Sequence, residues 1–207
     1  MAKTDKLDLY KEHREEYVAK KAPVLVTVGA GQYLTIRGRG EPGGEAFQAK
    51  LGALYAAAFT IKMTRKFAGQ DYKVCHLEGL WWGQDEAAGF FNQPKAEGCW
   101  KLLIRVPDFL TSDDLNDAKD KLLAKGKGPE VNAVELETIE EGRCVQMLHL
   151  GPYDAEANTI QAMRRFAAEA GLTFHGRHHE IYLSDPRRVP PERLRTILRM
   201  PVRKPDR

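Results

Sequence analysis

Apolar and polar positions along the chain alternate with a period of two in some stretches and with a period near 3.6 in others, and the order of the two periods lays out the elements. "QYLTIRGRG" (32–40) and "RCVQMLHLG" (143–151) alternate as strands do, and each ends in glycine. A helical spacing follows each: Phe47, Leu51, Leu54, Ala58 and Ile61 in the first case, Ile160, Met163, Ala167 and Ala170 in the second, so each helix has one face to bury. Two further apolar segments come after each helix. They are "KVCHLEGLWW" (73–82) with "CWKLLIRVP" (99–107), and "RHHEIYL" (177–183) with "LRTILRMPV" (194–202). Each half therefore predicts strand, helix, strand, strand.

Between the halves, "TSDDLNDAKDKLLAK" (111–125) opens with a Thr or Ser N-cap and acids in its first turn, and "GKGP" closes it. It predicts a connecting helix. Pro23 separates an N-terminal extension, residues 1–22, from the first strand. The expected class is α+β: one ligand-binding domain over 23–207, made of two βαββ repeats (about 23–107 and about 130–204) with pseudo-two-fold symmetry. A βαββ unit leaves one sheet face and two edges uncovered, so duplicated units pair their antiparallel sheets around a shared axis, with a central cleft between them.

Composition narrows the function classes. The chain has 207 residues, 43% of them hydrophobic and 29% charged, with a formal net charge of +3, which excludes wholesale disorder and gives no global basic balance of the kind that nucleic acid or an anionic membrane attracts. The three cysteines, Cys75, Cys99 and Cys144, are odd in number and form no CxxC pair, so a reducing, cytoplasmic setting is expected, with buried thiols as the default. No apolar h-region opens the chain, and no apolar run reaches transmembrane length.

Against that background one acid stands out. Glu180 lies among Ile181, Tyr182 and Leu183 in a stretch that predicts a buried strand, and Glu78 occupies the matching strand of the first half. A carboxylate without water costs several kcal/mol unless a partner or a ligand replaces the lost solvation. Period-two alternation puts His178, Glu180 and Tyr182 on one face and His76, Glu78, Leu80 and Trp82 on the other repeat's counterpart, unless a bulge at Gly79 turns Trp81 inward instead. Both tryptophans are therefore candidates. Tyr55, Trp81, Trp82, Tyr153, Tyr182 and Glu180 form the expected ligand-binding set, for aromatic faces stack on flat ligands and attract their positive charge. Phe59 is expected in the core, and Tyr153 has the competing role of capping the start of the second helix.

The segments "HLGPYDAEANTIQAMRRFAAEAGL", "RHHEIYLSDPRR" and "PERLRTILRMPV" resemble the C-terminal half of the GyrI-like small-molecule-binding family, and "APVLVTV", "ALYAAAFTIK" and "LEGLWW" resemble its N-terminal half. The resemblance implies an SHS2-like duplicated fold shared with multidrug-sensing effector-binding domains, in which the acid matching Glu180 faces an aromatic-lined cavity for flat, often cationic, molecules. The stand-alone length and "LEGLWW" are similar to a subfamily that hydrolyses the strained cyclopropane of DNA-alkylating compounds. That implies Glu78, Glu180 and Tyr182 as the catalytic candidates: one acid would hydrogen-bond the conjugated carbonyl and the other would orient water, with the division between Glu78 and Glu180 open. Passive sequestering of xenobiotics and inhibition of a partner protein such as gyrase are the rival roles.

Other patterns carry less. Two His-x-Glu pairs, His76 with Glu78 and His178 with Glu180, have metal-ligand chemistry but lie on different strands, and neither a metal nor another cofactor is expected. "GRGEPG" (38–43) satisfies GxGxxG, yet Pro42 removes a donor from the cradle and no acid closes a second strand, so turn geometry explains its glycines. The basic series Arg187, Arg188, Arg193, Arg195, Arg199, Arg203, Lys204 and Arg207 is expected to be a solvated face. No helix-turn-helix reader accompanies it, so specific nucleic-acid binding is not expected.

Overall fold

A computed structural model describes residues 6–83 and 98–205 of the chain. It is a mixed α+β structure built on one large antiparallel sheet. The strands are β1 (Val24–Val28), β2 (Gly31–Arg39), β3 (Leu77–Trp82), β4 (Cys99–Val106), β5 (Glu135–Ile139), β6 (Gly142–Leu150), β7 (Thr173–Phe174), β8 (His178–Tyr182) and β9 (Arg195–Arg203). The helices are α1 (Leu9–Glu12), α2 (Arg14–Tyr17), α3 (Glu45–Phe67), α4 (Ser112–Ala124) and α5 (Ala157–Glu169). Neighbouring strands run in the order β1-β6-β9-β8-β3-β4-β2-β5, with the two-residue β7 on β9.

The chain enters these elements for local reasons. In α4, the Thr111 hydroxyl accepts from the Asp114 amide while the Asp114 carboxylate accepts from the Thr111 amide, a reciprocal cap that satisfies two donors otherwise left open. In α3, Ala53, Leu54, Ala57, Ala58 and Ile61 form the buried stripe, and in α5 Ile160, Met163 and Ala167 do so. Ala170, expected on that stripe, is the exposed C-cap. β5 was not foreshadowed: its sequence, "ELETI", is mostly polar, and pairing with β2 rather than apolar content makes it a strand.

Connection length bends the sheet. Only Gly29 and Ala30 separate β1, at one edge, from β2, which lies next to the other edge. A few residues at about 3.3–3.6 Å each cannot cross a flat eight-strand order, so the two edges must curl toward each other. One face of the curled sheet carries α3 and α5, and the other encloses the N-terminal segment. That extension is part of the interior: Tyr17 is buried against Ile181 and Ile197, and the carbonyls of Glu15 and Glu16 accept from Gln146 and Arg199.

Two separate apolar clusters lie on the helix-bearing face. Under α3, Leu34, Ile36, Trp100, Leu102 and Ile104 pack against Leu54, Ala58 and Ile61. Under α5, Val145, Leu198 and Met200 pack against Ile160, Met163 and Ala167. The pairing of β3 with β8 lies between them. Gly38 shows how tight the first cluster is, since a methyl group there would stand 2.0 Å from the Trp100 ring.

Candidate functional site

The β3–β8 pairing decides which side chains meet. Glu78 stands opposite Ile181 and Glu180 opposite Gly79. Residues directly opposite each other in an antiparallel pair share a face, and consecutive residues do not. Glu78 and Glu180 therefore point to opposite faces of the sheet, and the expected shared cleft for the two acids does not exist. The sequence could not show this, because the offset between the strands is set by the pairing, and a slip of one residue exchanges every side chain between the faces.

On the helix-bearing face, Glu180 is joined by His178, Tyr182 and Trp81. Glu180 is 7% exposed, and its Oε1 lies 3.3 Å from His178 Nε2. The same nitrogen has Glu156 Oε2 at 3.9 Å. Glu156 is the N-cap of α5, so its charge sits at the positive end of the helix. Trp81 Nε1 donates to the Tyr182 hydroxyl at 3.1 Å, and the Tyr153 ring meets Tyr182 edge to face at 5.7 Å. Burial, then the charge of Glu180, pushes the Tyr182 phenol well above its ordinary range. Burial followed by Glu180 and Glu156 pushes Tyr153 up to about 12. Both phenols are thus held as proton donors at neutral pH.

Gly79 hosts no bulge, for β3 keeps an unbroken register with β4 from Leu77 to Trp82. Its missing side chain serves a different end: a methyl group there would stand 2.8 Å from Trp81 Nε1 and 3.0 Å from the Tyr182 hydroxyl. Trp81 is the tryptophan of this face. Trp82 turns to the other, where the Arg177 guanidinium lies 3.8 Å from its ring centroid. Tyr55, half-buried on α3, packs at the edge of the α3 cluster together with Tyr182. Phe59 is 51% exposed rather than in the core, because the α3 stripe runs through Ala58 and Ile61 and leaves Phe59 on the outer side.

The opposite face holds a different constellation. Glu78, with no exposure at all, accepts from the Tyr17 hydroxyl at 3.0 Å and lies 2.9 Å from His179 Nε2. His179 Nδ1 is 2.9 Å from Glu141 Oε2, to which Arg199 Nη1 also donates at 2.9 Å. Arg199 completes its bonding on the Gln146 side chain at 3.2 Å and the Glu16 carbonyl at 2.5 Å, and Arg105 bonds the Glu16 carboxylate. Burial alone would lower the His179 pKa, but Glu141 and Glu78 together raise it to about 9. Burial would raise Glu141, but His179 and Arg199 hold it down at about 2. Arg199 is only 1% exposed, so it leaves the solvated series proposed for the C-terminal arginines, while Arg187 and Arg188 remain on the surface and Arg207 lies outside the described residues.

The set His76, Glu78, His178 and Glu180 is not brought together: the His76 ring stacks on Tyr10 at 4.9 Å, on the far side from Glu180. Glu156 was missed by sequence reasoning. An acid at a helix start is ordinary, and nothing in its spacing from Glu180 announces that α5 delivers it to the same point. Two cavities among the described residues lie elsewhere, one of about 220 Å³ beside α3 and Val131, the other of about 270 Å³ around Tyr10, Tyr17, His76 and Arg195. No helix among the described residues is long and apolar enough to cross a membrane.

Comparisons with known proteins agree with this architecture. An uncharacterized conserved protein from Listeria innocua is 37% identical, with 96% of this chain and 100% of that one covered and a TM-score of 0.89. A hydrolase from the same organism is 36% identical over 96% of this chain and 100% of its own, with a TM-score of 0.86. The C-terminal domain of EcmrR has the same fold at 13% identity, covering 88% of this chain and 98% of that domain, with a TM-score of 0.58. No curated protein matched. The pattern of the GyrI-like small molecule binding domain matches residues 21–203, and with nearly the whole chain covered, the protein belongs to the GyrI-like family.

Proposed function

We propose that the protein binds flat, hydrophobic or cationic aromatic molecules at the β3–β8 seam, between two βαββ units related by a pseudo-dyad, and hydrolyses cyclopropane-bearing alkylating compounds there. The strand order supports the two-unit reading, because β6-β9-β8 on one side of the seam is matched by β2-β4-β3 on the other. The observation that carries the binding site is the buried Glu180 carboxylate among Tyr182, Tyr153 and Trp81, on the strand seam between the apolar clusters under α3 and α5. A desolvated cation over such rings gains roughly 0.5–2 kcal/mol per contact, and the carboxylate supplies the counter-charge. The relative described as a hydrolase favours turnover over passive sequestering.

In the reaction, the Tyr182 hydroxyl donates to the carbonyl conjugated with the strained ring, and Glu180 orients a water molecule at the electrophilic cyclopropane carbon. The water oxygen bonds to that carbon, the strained carbon–carbon bond breaks, and its electron pair runs into the conjugated carbonyl, whose oxygen takes up a proton as the attacking water loses one. Glu78 has no part in this step, since it faces the other way.

Fluorescence titration with a cationic aromatic dye tests binding, and Glu180→Gln is expected to weaken it by about tenfold or more, the equivalent of roughly 1.4 kcal/mol. Incubation with a cyclopropane-bearing alkylator followed by mass spectrometry tests turnover through the water-adduct product. Saturable binding without that product would leave a sequestering protein. Absence of both would return the reading to a partner-protein inhibitor.

A further inference from the structure

Adjacent histidines of β8 are treated differently by the fold. Each ring nitrogen of His179 meets its own carboxylate, at 2.9 Å on both sides, as an ordinary hydrogen-bonded imidazolium requires. On His178 two carboxylates converge on one nitrogen: Glu180 Oε1 and Glu156 Oε2 lie 3.3 Å and 3.9 Å from Nε2. One N–H directs a single strong hydrogen bond, so this convergence differs from the one-to-one pairing around His179. The three donor atoms all lie within 4.8 Å of one another, and all three residues are buried.

We propose that Glu156, His178 and Glu180 form a binding site for one divalent first-row transition-metal cation, of which Zn²⁺ is the representative. Donors bonded to one such ion at about 2.0–2.2 Å stand about 3–4 Å apart, the range of the two contacts to Nε2, so small rotations of the carboxylates complete the coordination. One imidazole nitrogen with two carboxylate oxygens is a borderline set that suits zinc, manganese or iron better than calcium, which takes oxygen alone. The charges point the same way. Two buried carboxylates this close repel each other, and a dication between them removes the repulsion that an added hydrogen bond only reduces. The ligands come from two rigid elements, β8 and the start of α5, which preset their separation. Among the described residues the set supplies three protein ligands, and Tyr182 and Tyr153 meet beside it.

The inference shares Glu180 with the proposed ligand site, and the two readings are tested separately: dye binding and turnover are measured on chelator-treated protein and the metal site on the same protein with Co²⁺ as the probe. One equivalent of Co²⁺ is expected to produce the visible absorption of a low-coordinate site, and Zn²⁺ is expected to displace it stoichiometrically. Affinity should fall by about 10–100-fold in Glu156→Gln and further in His178→Asn, while His175→Asn, at an exposed histidine, leaves it unchanged. Wild-type protein that develops no such band, or a band that survives unchanged in both Glu156→Gln and His178→Asn, overturns the proposal. The wild-type measurement decides even if a variant fails to fold.

Discussion

The two faces of the sheet at the β3–β8 seam hold nearly the same residue types in different arrangements. Around His179, carboxylates, a guanidinium, an amide and a phenol each answer one another at hydrogen-bond distance, and the N-terminal segment closes over them. Around His178, two carboxylates crowd one nitrogen, and Tyr182, Tyr153 and Trp81 lie beside them. A reciprocated buried network fixes a fold, whereas acids gathered from two elements onto one imidazole nitrogen beside aromatic rings are the arrangement on which the proposed ligand sites draw. The difference separates Glu78, which is tied into a network with the N-terminal segment, from Glu180, the acid of the proposed ligand site.

The largest effect should come from breaking the reciprocated side. Arg199→Ala takes from the buried Glu141 one of its two cationic partners and breaks the bonds to Gln146 and the Glu16 carbonyl, and urea denaturation should report a loss of about 3–5 kcal/mol. Next comes a reciprocal pair of acids: Glu78→Gln should cost about 1–3 kcal/mol through its bonds to Tyr17 and His179 while leaving dye affinity within about twofold, and Glu180→Gln should do the reverse. If both substitutions behaved alike, the division between the faces would be lost. Gly79→Ala forces a methyl group against Trp81 and Tyr182, and overpacking of about 1–3 kcal/mol should be accompanied by weaker dye binding, read by titration alongside thermal melts.

The smallest effect is a dependence on pH. The His179 pKa is raised on folding from 6.5 to about 9, so its contribution to stability is complete below 6.5 and is lost as pH rises through 9. The melting temperature of the wild type should therefore fall from pH 6.5 to 9 more steeply than that of His179→Gln. Glu141, lowered from 4.5 to about 2, works in the other direction: its contribution is complete above pH 4.5 and disappears as pH falls through 2.

Much of this arrangement could be read along the chain. The α3 and α5 stripes, the acid-bearing strands and the connecting helix followed from periodicity and caps, since side-chain spacing within one element is a local property. Glu180, Tyr182, Trp81 and Tyr153 were named as candidates on that basis, and they do come together. The apparent equivalence of Glu78 and Glu180 misled, because Gly79, not Glu78, is the residue that faces Glu180. The N-terminal extension gave no sign that its backbone carbonyls would satisfy Gln146 and Arg199.

What the amino-acid order determined by itself was the identity and sequence of the elements, along with the presence of a carboxylate in an apolar strand, because these depend on neighbours a few residues away. Which face each acid took, and that Glu156 rather than Glu78 would stand beside Glu180, was decided by strand offset and by the landing point of α5. Those are relations between segments distant in the chain, and only the packing of the curled sheet sets them.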